Sequence, residues 1–166
     1  MEINLVLHLP RDVASVPVNR QVLDGCLKTL GVTPDTRADI ALALTEACAN
    51  VIKHAGPGEQ YEVQASVRNG QCEIEVVNTG TGTGVEIAER VALTSDVVPV
   101  TAEHGRGLKI IDAVVDHLQL SGSTTDGTIV RFEKALEWLP DAAGQHLYNA
   151  ASGGAAPHGH PNGSFG

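Results

Sequence analysis

The chain has 166 residues, a net charge of −9 from 11 basic and 20 acidic side chains, and only 3% aromatic residues. That length suffices for one domain with a real core and a short appendage. Nucleic-acid binding calls for a basic face, and single-strand binding also calls for stacking rings, so this composition speaks against both. The acidic balance suits protein partners that carry basic patches.

No apolar run approaches the roughly 18 residues of a membrane span, and Met1-Glu2-Ile3-Asn4 lacks the basic and apolar regions of a signal peptide. Cys26, Cys48 and Cys72 are odd in number and more than 20 residues apart, without zinc-ligand spacing. They fit reduced thiols in a cytoplasmic protein.

Glu2 to Leu9 alternates through Ile3, Leu5, Leu7 and Leu9 and stops at Pro10, which predicts a strand. Val13 to Leu30 predicts a helix with Val16, Gln21, Leu23, Leu27 and Leu30 inward, its start drawn toward Ser15 by Pro17 and its end set by Gly31. The longest element follows. Thr33 is a good N-cap, Pro34 suits the first helical position, Asp35 complements the dipole, and Gly56 offers a left-handed stop. Ile40, Leu44, Ala47 and Val51 form the core stripe of this helix of about six turns. Glu46 and Asn50, four apart, project together away from that stripe.

Tyr61 to Val67 and Cys72 to Val76 alternate on either side of Asn69-Gly70, a strong hairpin signal. The second strand runs into Asn78-Thr79-Gly80-Thr81-Gly82-Thr83-Gly84. Val85 to Leu93 is expected as a short helix and Thr94 to Glu103 as a mobile connector. Gly105-Arg106-Gly107 opens another helix, with Leu108, Ile111, Val114 and Val115 apolar, reaching about His117. Leu118 to Ser121 and Thr128 to Phe132 are the last strands, joined by a loop with Asp126-Gly127. Residues 1–139 read as one domain. Residues 140–166, rich in Ala, Gly, His and Pro, read as a disordered tail that cannot bury enough surface to offset its ordering entropy. Hairpins plus helices that share one face give an α+β two-layer sandwich with a mixed, mostly antiparallel sheet.

The first glycine run is not a dinucleotide fingerprint. Its third glycine falls one position early, and the strand before it is a hairpin return arm. No P-loop occurs. Gly105-Arg106-Gly107, by contrast, lies at a helix N-terminus, where free N–H groups and the dipole favour an anion and Arg106 can add charge-assisted bonds.

Glu46-Ala47-Cys48-Ala49-Asn50, Asn78-Thr79-Gly80-Thr81-Gly82, Gly105-Arg106-Gly107-Leu108 and Gly127-Thr128-Ile129-Val130 occur in the order and spacing of the histidine-kinase-like (Bergerat-fold) ATPases. Within them the chain resembles the small anti-sigma-factor serine kinases of bacteria, over roughly Leu5 to Lys134. The resemblance implies that Asn50 ligates the Mg²⁺ of a bound ATP and that Glu46 is the general base for an incoming serine hydroxyl. It implies that Asn78 reads adenine beside Gly80 and Gly82, and that Gly105, Arg106, Gly107 and Leu108 cradle phosphates. Thr128 and Lys53 are further nucleotide contacts, although Lys53 also suits the dipole of the helix end.

The family carries aspartate where this chain has Asn78. The substitution removes a charge and one acceptor, an expected loss of about 1–2 kcal/mol in adenine binding. The implied partners are a sigma factor, an anti-sigma-factor antagonist and a second copy of the chain. The alternative is a catalytically decayed, non-enzymatic partner-binding module. A detached kinase catalytic domain ranks below both. His54 reads as a cation at the helix end, His104 as a loop histidine, and His158-Gly159-His160 as incidental to the tail.

Overall fold

The computed structural model describes residues 1–54, 60–79, 105–123 and 127–152. Among the described residues five strands and four helices follow in order: β1 (Glu2–Pro10), α1 (Ser15–Leu30), α2 (Pro34–His54), β2 (Gln60–Arg68), β3 (Gln71–Thr79), α3 (Gly105–Val114), β4 (His117–Ser123), β5 (Gly127–Ala135) and α4 (Ala143–Ser152). The strands form one sheet in the order β1-β2-β3-β5-β4. The sheet, expected to be mixed and mostly antiparallel, is antiparallel at every pairing.

Register explains the core. Leu5, Ala65, Ile74, Phe132 and Leu118 are mutual partners in one row across all five strands, and Leu7, Val63, Val76, Val130 and Leu120 form the next. Because side chains alternate along a strand, both rows share one face. There they meet Leu23, Leu27, Ile40, Leu44, Val51, Leu108 and Ile111 from α1, α2 and α3. The opposite face carries ion pairs: Glu73 with Arg131 at 2.8 Å and Arg68 at 3.3 Å, and Glu62 with His8 at 3.2 Å.

Local chemistry sets the element ends. Asn69 and Gly70 both have positive φ, 51° and 74°, which a two-residue type I′ hairpin requires. Helix α1 ends at Gly31 (φ 83°), with Val32 N–H on Leu27 O and Gly31 N–H on Lys28 O, a Schellman arrangement. Thr33 Oγ1 accepts from the backbone N–H of Thr36 at 3.5 Å and donates to Thr36 Oγ1 at 3.0 Å, at the expected cap of α2. Lys134 joins the helix layer from below. Its Nζ donates to Val114 O at 2.7 Å and pairs with Asp39 at 2.9 Å, tying the end of α3 to the first half of α2.

Three expectations are corrected. Gln21 is exposed, and Asn19 instead is fully buried. The regular 3–4 spacing runs Val16, Asn19, Leu23, Leu27, Leu30, and Gln21 falls off it. Helix α3 stops at Val114 rather than near His117, because Asp116 N–H already bonds Glu133 O and begins the β4 ladder.

Part of the segment expected to be a disordered tail is helix α4. It docks because the chain before it is pinned: Thr33 N–H to Glu137 O, Leu139 N–H to Gly31 O, and a bridge between Val32 and Trp138. Small residues then allow close contact. A Cβ on Gly144 would run into the Trp138 ring and lie 2.8 Å from Leu30 O, and one on Gly31 would lie 2.6 Å from Ala142 Cβ.

Trp138 is the only tryptophan in the chain. Replacement Gly144→Leu is therefore expected to unseat α4, shift Trp138 fluorescence to longer wavelength and cost about 1–3 kcal/mol of stability through overpacking. Emission unchanged from the parent would show that α4 is not held by this contact.

Candidate active site

Periodicity along α2 separates two functions of one helix. Ile40, Ala43, Leu44, Ala47, Cys48 and Val51 are buried, and burial of that stripe fixes the rotation of the helix over the sheet. Glu46 and Asn50 then lie one turn apart on the flank that meets α3.

The approach at that flank is close. A Cβ at Gly107 would lie 2.8 Å from Glu46 Oε2, 3.8 Å from Glu46 Cβ and 3.9 Å from Glu46 Cδ. The carboxylate thus rests on the first turn of α3, where the leading N–H groups have no intrahelical acceptor and the helix dipole favours negative charge.

Asn50 is only 6% exposed, and among the described residues its Nδ2 has no hydrogen-bond partner. An unsatisfied buried amide costs on the order of 1–3 kcal/mol.

Asn78 completes the inner face of the sheet. It continues the series Cys72, Ile74, Val76 on β3 and pairs with Tyr61, which in turn pairs with Leu9. It is 5% exposed. A polar side chain therefore stands at the end of an apolar row, on the face that α2 covers.

Behind the site, buried polar pairs join α1 to β2 and to α2. Ser15 Oγ and Tyr61 Oη are 2.7 Å apart, and Asn19 Nδ2 donates to Cys48 Sγ at 3.3 Å. Arg11 Nη2 donates to Ile52 O at 2.9 Å, satisfying a carbonyl in the last turns of α2.

The model of the histidine kinase-like ATPase domain matches residues 9–134. The chain belongs to that family. Among curated proteins it is similar to the serine-protein kinase RsbW of Bacillus velezensis, 26% identical over 140 residues, covering 78% of this chain and 84% of that protein. The RsbW kinase of Bacillus licheniformis is 27% identical over 122 residues, covering 66% and 74%. Among solved structures, the RsbU and RsbW domains of Rv1364c from Mycobacterium tuberculosis align with a TM-score of 0.60 at 18% identity, over 81% of this chain and 32% of that longer one. That likeness establishes the same α+β architecture.

The residues singled out from the sequence fall into three groups. Glu46 and Gly107 are brought together at the α2–α3 flank, Asn50 lies one turn further along α2, and Asn78 ends the inner row of β3. Gly105 begins α3, Arg106 is exposed in its first turn, and Lys53 is exposed in the last turn of α2. Leu108 is buried at 1% exposure, so only its backbone can face a ligand. Thr128 lies on β5 opposite Gly122. Gly80, Gly82, the helix expected over Val85 to Leu93 and the Thr94 to Glu103 connector lie outside the described residues.

Sequence reasoning missed Tyr61, Asn19, Ser15 and Arg11, whose partners lie up to 46 positions away along the chain. Only the inward spacing of Asn19 in α1 offered a signal.

Burial pushes the Cys48 thiol up to about 11 and the Cys72 thiol up to about 12, whereas Cys26 is exposed. Both buried thiols are thus held protonated in the folded state. Their contribution to stability is complete below the unfolded thiol value and is lost as pH rises through about 9 toward 11. A disulfide reagent at pH 8 is expected to titrate one thiol rapidly in the native protein, with Cys26→Ser removing that phase. Fast labelling of a second thiol would contradict the burial of Cys48 and Cys72.

Proposed function

We propose that this chain is an ATP- and Mg²⁺-dependent protein serine/threonine kinase of the anti-sigma type. It sequesters a sigma factor and phosphorylates a serine or threonine on the antagonist protein that opposes it. The observation that carries this reading is the Glu46 carboxylate lying on the first turn of α3, with the buried and unsatisfied Asn50 amide one turn further along α2. Family membership supports ATP use, and the RsbW relatives, named serine-protein kinases, support the reaction class. The same reading makes the protein a cytoplasmic homodimer.

The residues present fit the nucleotide. An amide offers one oxygen for a hard cation and an NH₂ for a phosphate oxygen, and among the described residues the Asn50 NH₂ has no acceptor. The backbone N–H groups at the start of α3 are available to an approaching anion. When bound, Mg²⁺·ATP supplies the phosphoryl group and spreads the charge that develops during transfer.

The remaining roles belong to the chain. Glu46 holds the proton of the incoming hydroxyl at its carboxylate. Asn50 orients the cation. Asn78 reads the adenine edge with a neutral amide, beside Gly80 and Gly82. The N–H groups of Gly105, Arg106, Gly107 and Leu108 receive phosphate oxygens, Arg106 adds a charge-assisted donor, and Lys53 and Thr128 stand at the margins. Most of the rate then comes from alignment in a preorganised site, with one proton acceptor.

Transfer of labelled γ-phosphate to the antagonist is expected to fall at least about 10²-fold in Glu46→Ala while ATP still binds. Undiminished transfer would assign the proton to another group. Calorimetric titration with Mg²⁺·ATP is expected to show binding in the parent, tightened roughly tenfold by Asn78→Asp. No heat at millimolar nucleotide would overturn the kinase reading.

A further inference from the structure

Glu46 has an unusual neighbour. Its carboxylate is half-buried at the α2–α3 flank, and among the described residues it has no hydrogen-bond or ion-pair partner. What lies against it is the bare Cα of Gly107, where a Cβ would stand 2.8 Å from Oε2. Side-chain hydrogen bonds ordinarily hold a reacting carboxylate in place; Glu46 has instead the close approach of α3.

Gly107 sits in the first turn of a 10-residue helix. Nothing shows that its backbone requires glycine, since positive φ among the described residues is confined to Gly31, Asn69, Gly70 and Asp141. Its missing side chain matters for what it leaves room for. The far end of α3 is already anchored to α2 by Lys134, through Val114 O and Asp39. The gap at the near end is therefore set by packing, and the carboxylate fills it.

We propose that Gly107 is a positioning residue for Glu46. By carrying no side chain it lets α3 close on the carboxylate and hold it at the mouth of the anion-ready helix end. This rests on the kinase reading for its catalytic consequence, and on the packing alone for its structural one. A methyl at 107 would meet the free end of a flexible side chain, so the carboxylate yields and the fold survives. Alanine also keeps the backbone N–H that a phosphate would use, so the nucleotide cradle is retained.

The test is a double-mutant cycle on the nucleotide-free full chain, comparing Gly107→Ala in the parent and in a Glu46→Ala background by thermal melting. With Glu46 shortened, Gly107→Ala is expected to raise the melting temperature, because alanine is the better helix former. With Glu46 intact, that gain is expected to be smaller by about 3 °C or more, or to reverse, through the clash. Equal shifts in both backgrounds would overturn the proposal whether or not the protein is a kinase.

In phosphoryl transfer, Gly107→Ala is expected to lower kcat at least about tenfold, since displacement of a reacting group by roughly 1 Å can cost up to 10²-fold, with the KM for ATP changed less than about threefold. An unchanged kcat would overturn the positioning role even if the melting cycle shows coupling. A parent chain that transfers no phosphate would remove the kinase reading, and the melting cycle would still decide the seat.

Discussion

The close seam between α2 and α3 is the constraint from which the site follows. Helix α2 is buried along one stripe against the sheet, which fixes its rotation and turns Glu46 and Asn50 toward its neighbour. Helix α3 is held at its C-terminal end by Lys134, which caps Val114 O and pairs with Asp39. With one helix fixed in rotation and the other anchored, the gap at the start of α3 depends on the size of residue 107. Glycine makes that gap fit a carboxylate.

The same seam holds polar groups where a core would prefer apolar ones. Asn50 is buried with an unsatisfied Nδ2, and Asn78 interrupts an otherwise apolar row of β3. Burying such groups opposes stability by roughly 1–3 kcal/mol for each unsatisfied atom. The rest of the domain offsets that cost with dense packing, since Ala43, Leu44, Ala47, Cys48 and Val51 on the same helix are inaccessible to solvent. Stability and function are thus divided between two sides of one helix. The buried Ser15–Tyr61 and Asn19–Cys48 pairs brace the stable side, and burial keeps the Cys48 thiol protonated.

Asn78 is the point at which this chain departs from the pattern it otherwise follows. Its position on the inner row is fixed by strand register rather than by side-chain chemistry, so an amide and a carboxylate would occupy the same place. What changes is the charge carried at that place. The C-terminal segment is a second departure: it packs as α4 under the turn between α1 and α2, beyond the region that the family model covers. That end of the domain is where α2 begins, whereas Glu46 and Asn50 lie in its second half.

Much of this architecture was legible in the residues themselves. Period-2 and period-3.6 patterns, Asn69-Gly70, Gly31 and the Thr33-Pro34 cap are local signals, and local sterics enforce them wherever they occur. The four short motifs gave the family for the same reason, because each is read over a few residues. Tertiary structure alone decided the rest. That α4 is a docked helix depended on Trp138, Leu30 and Gly31 offering a surface to Gly144 and Ala142, which no composition rule contains. That Gly107 faces Glu46 across 61 positions is equally invisible in one dimension. A distance between two helices is set by the packing of everything between them, and spacing along the chain carries no record of it.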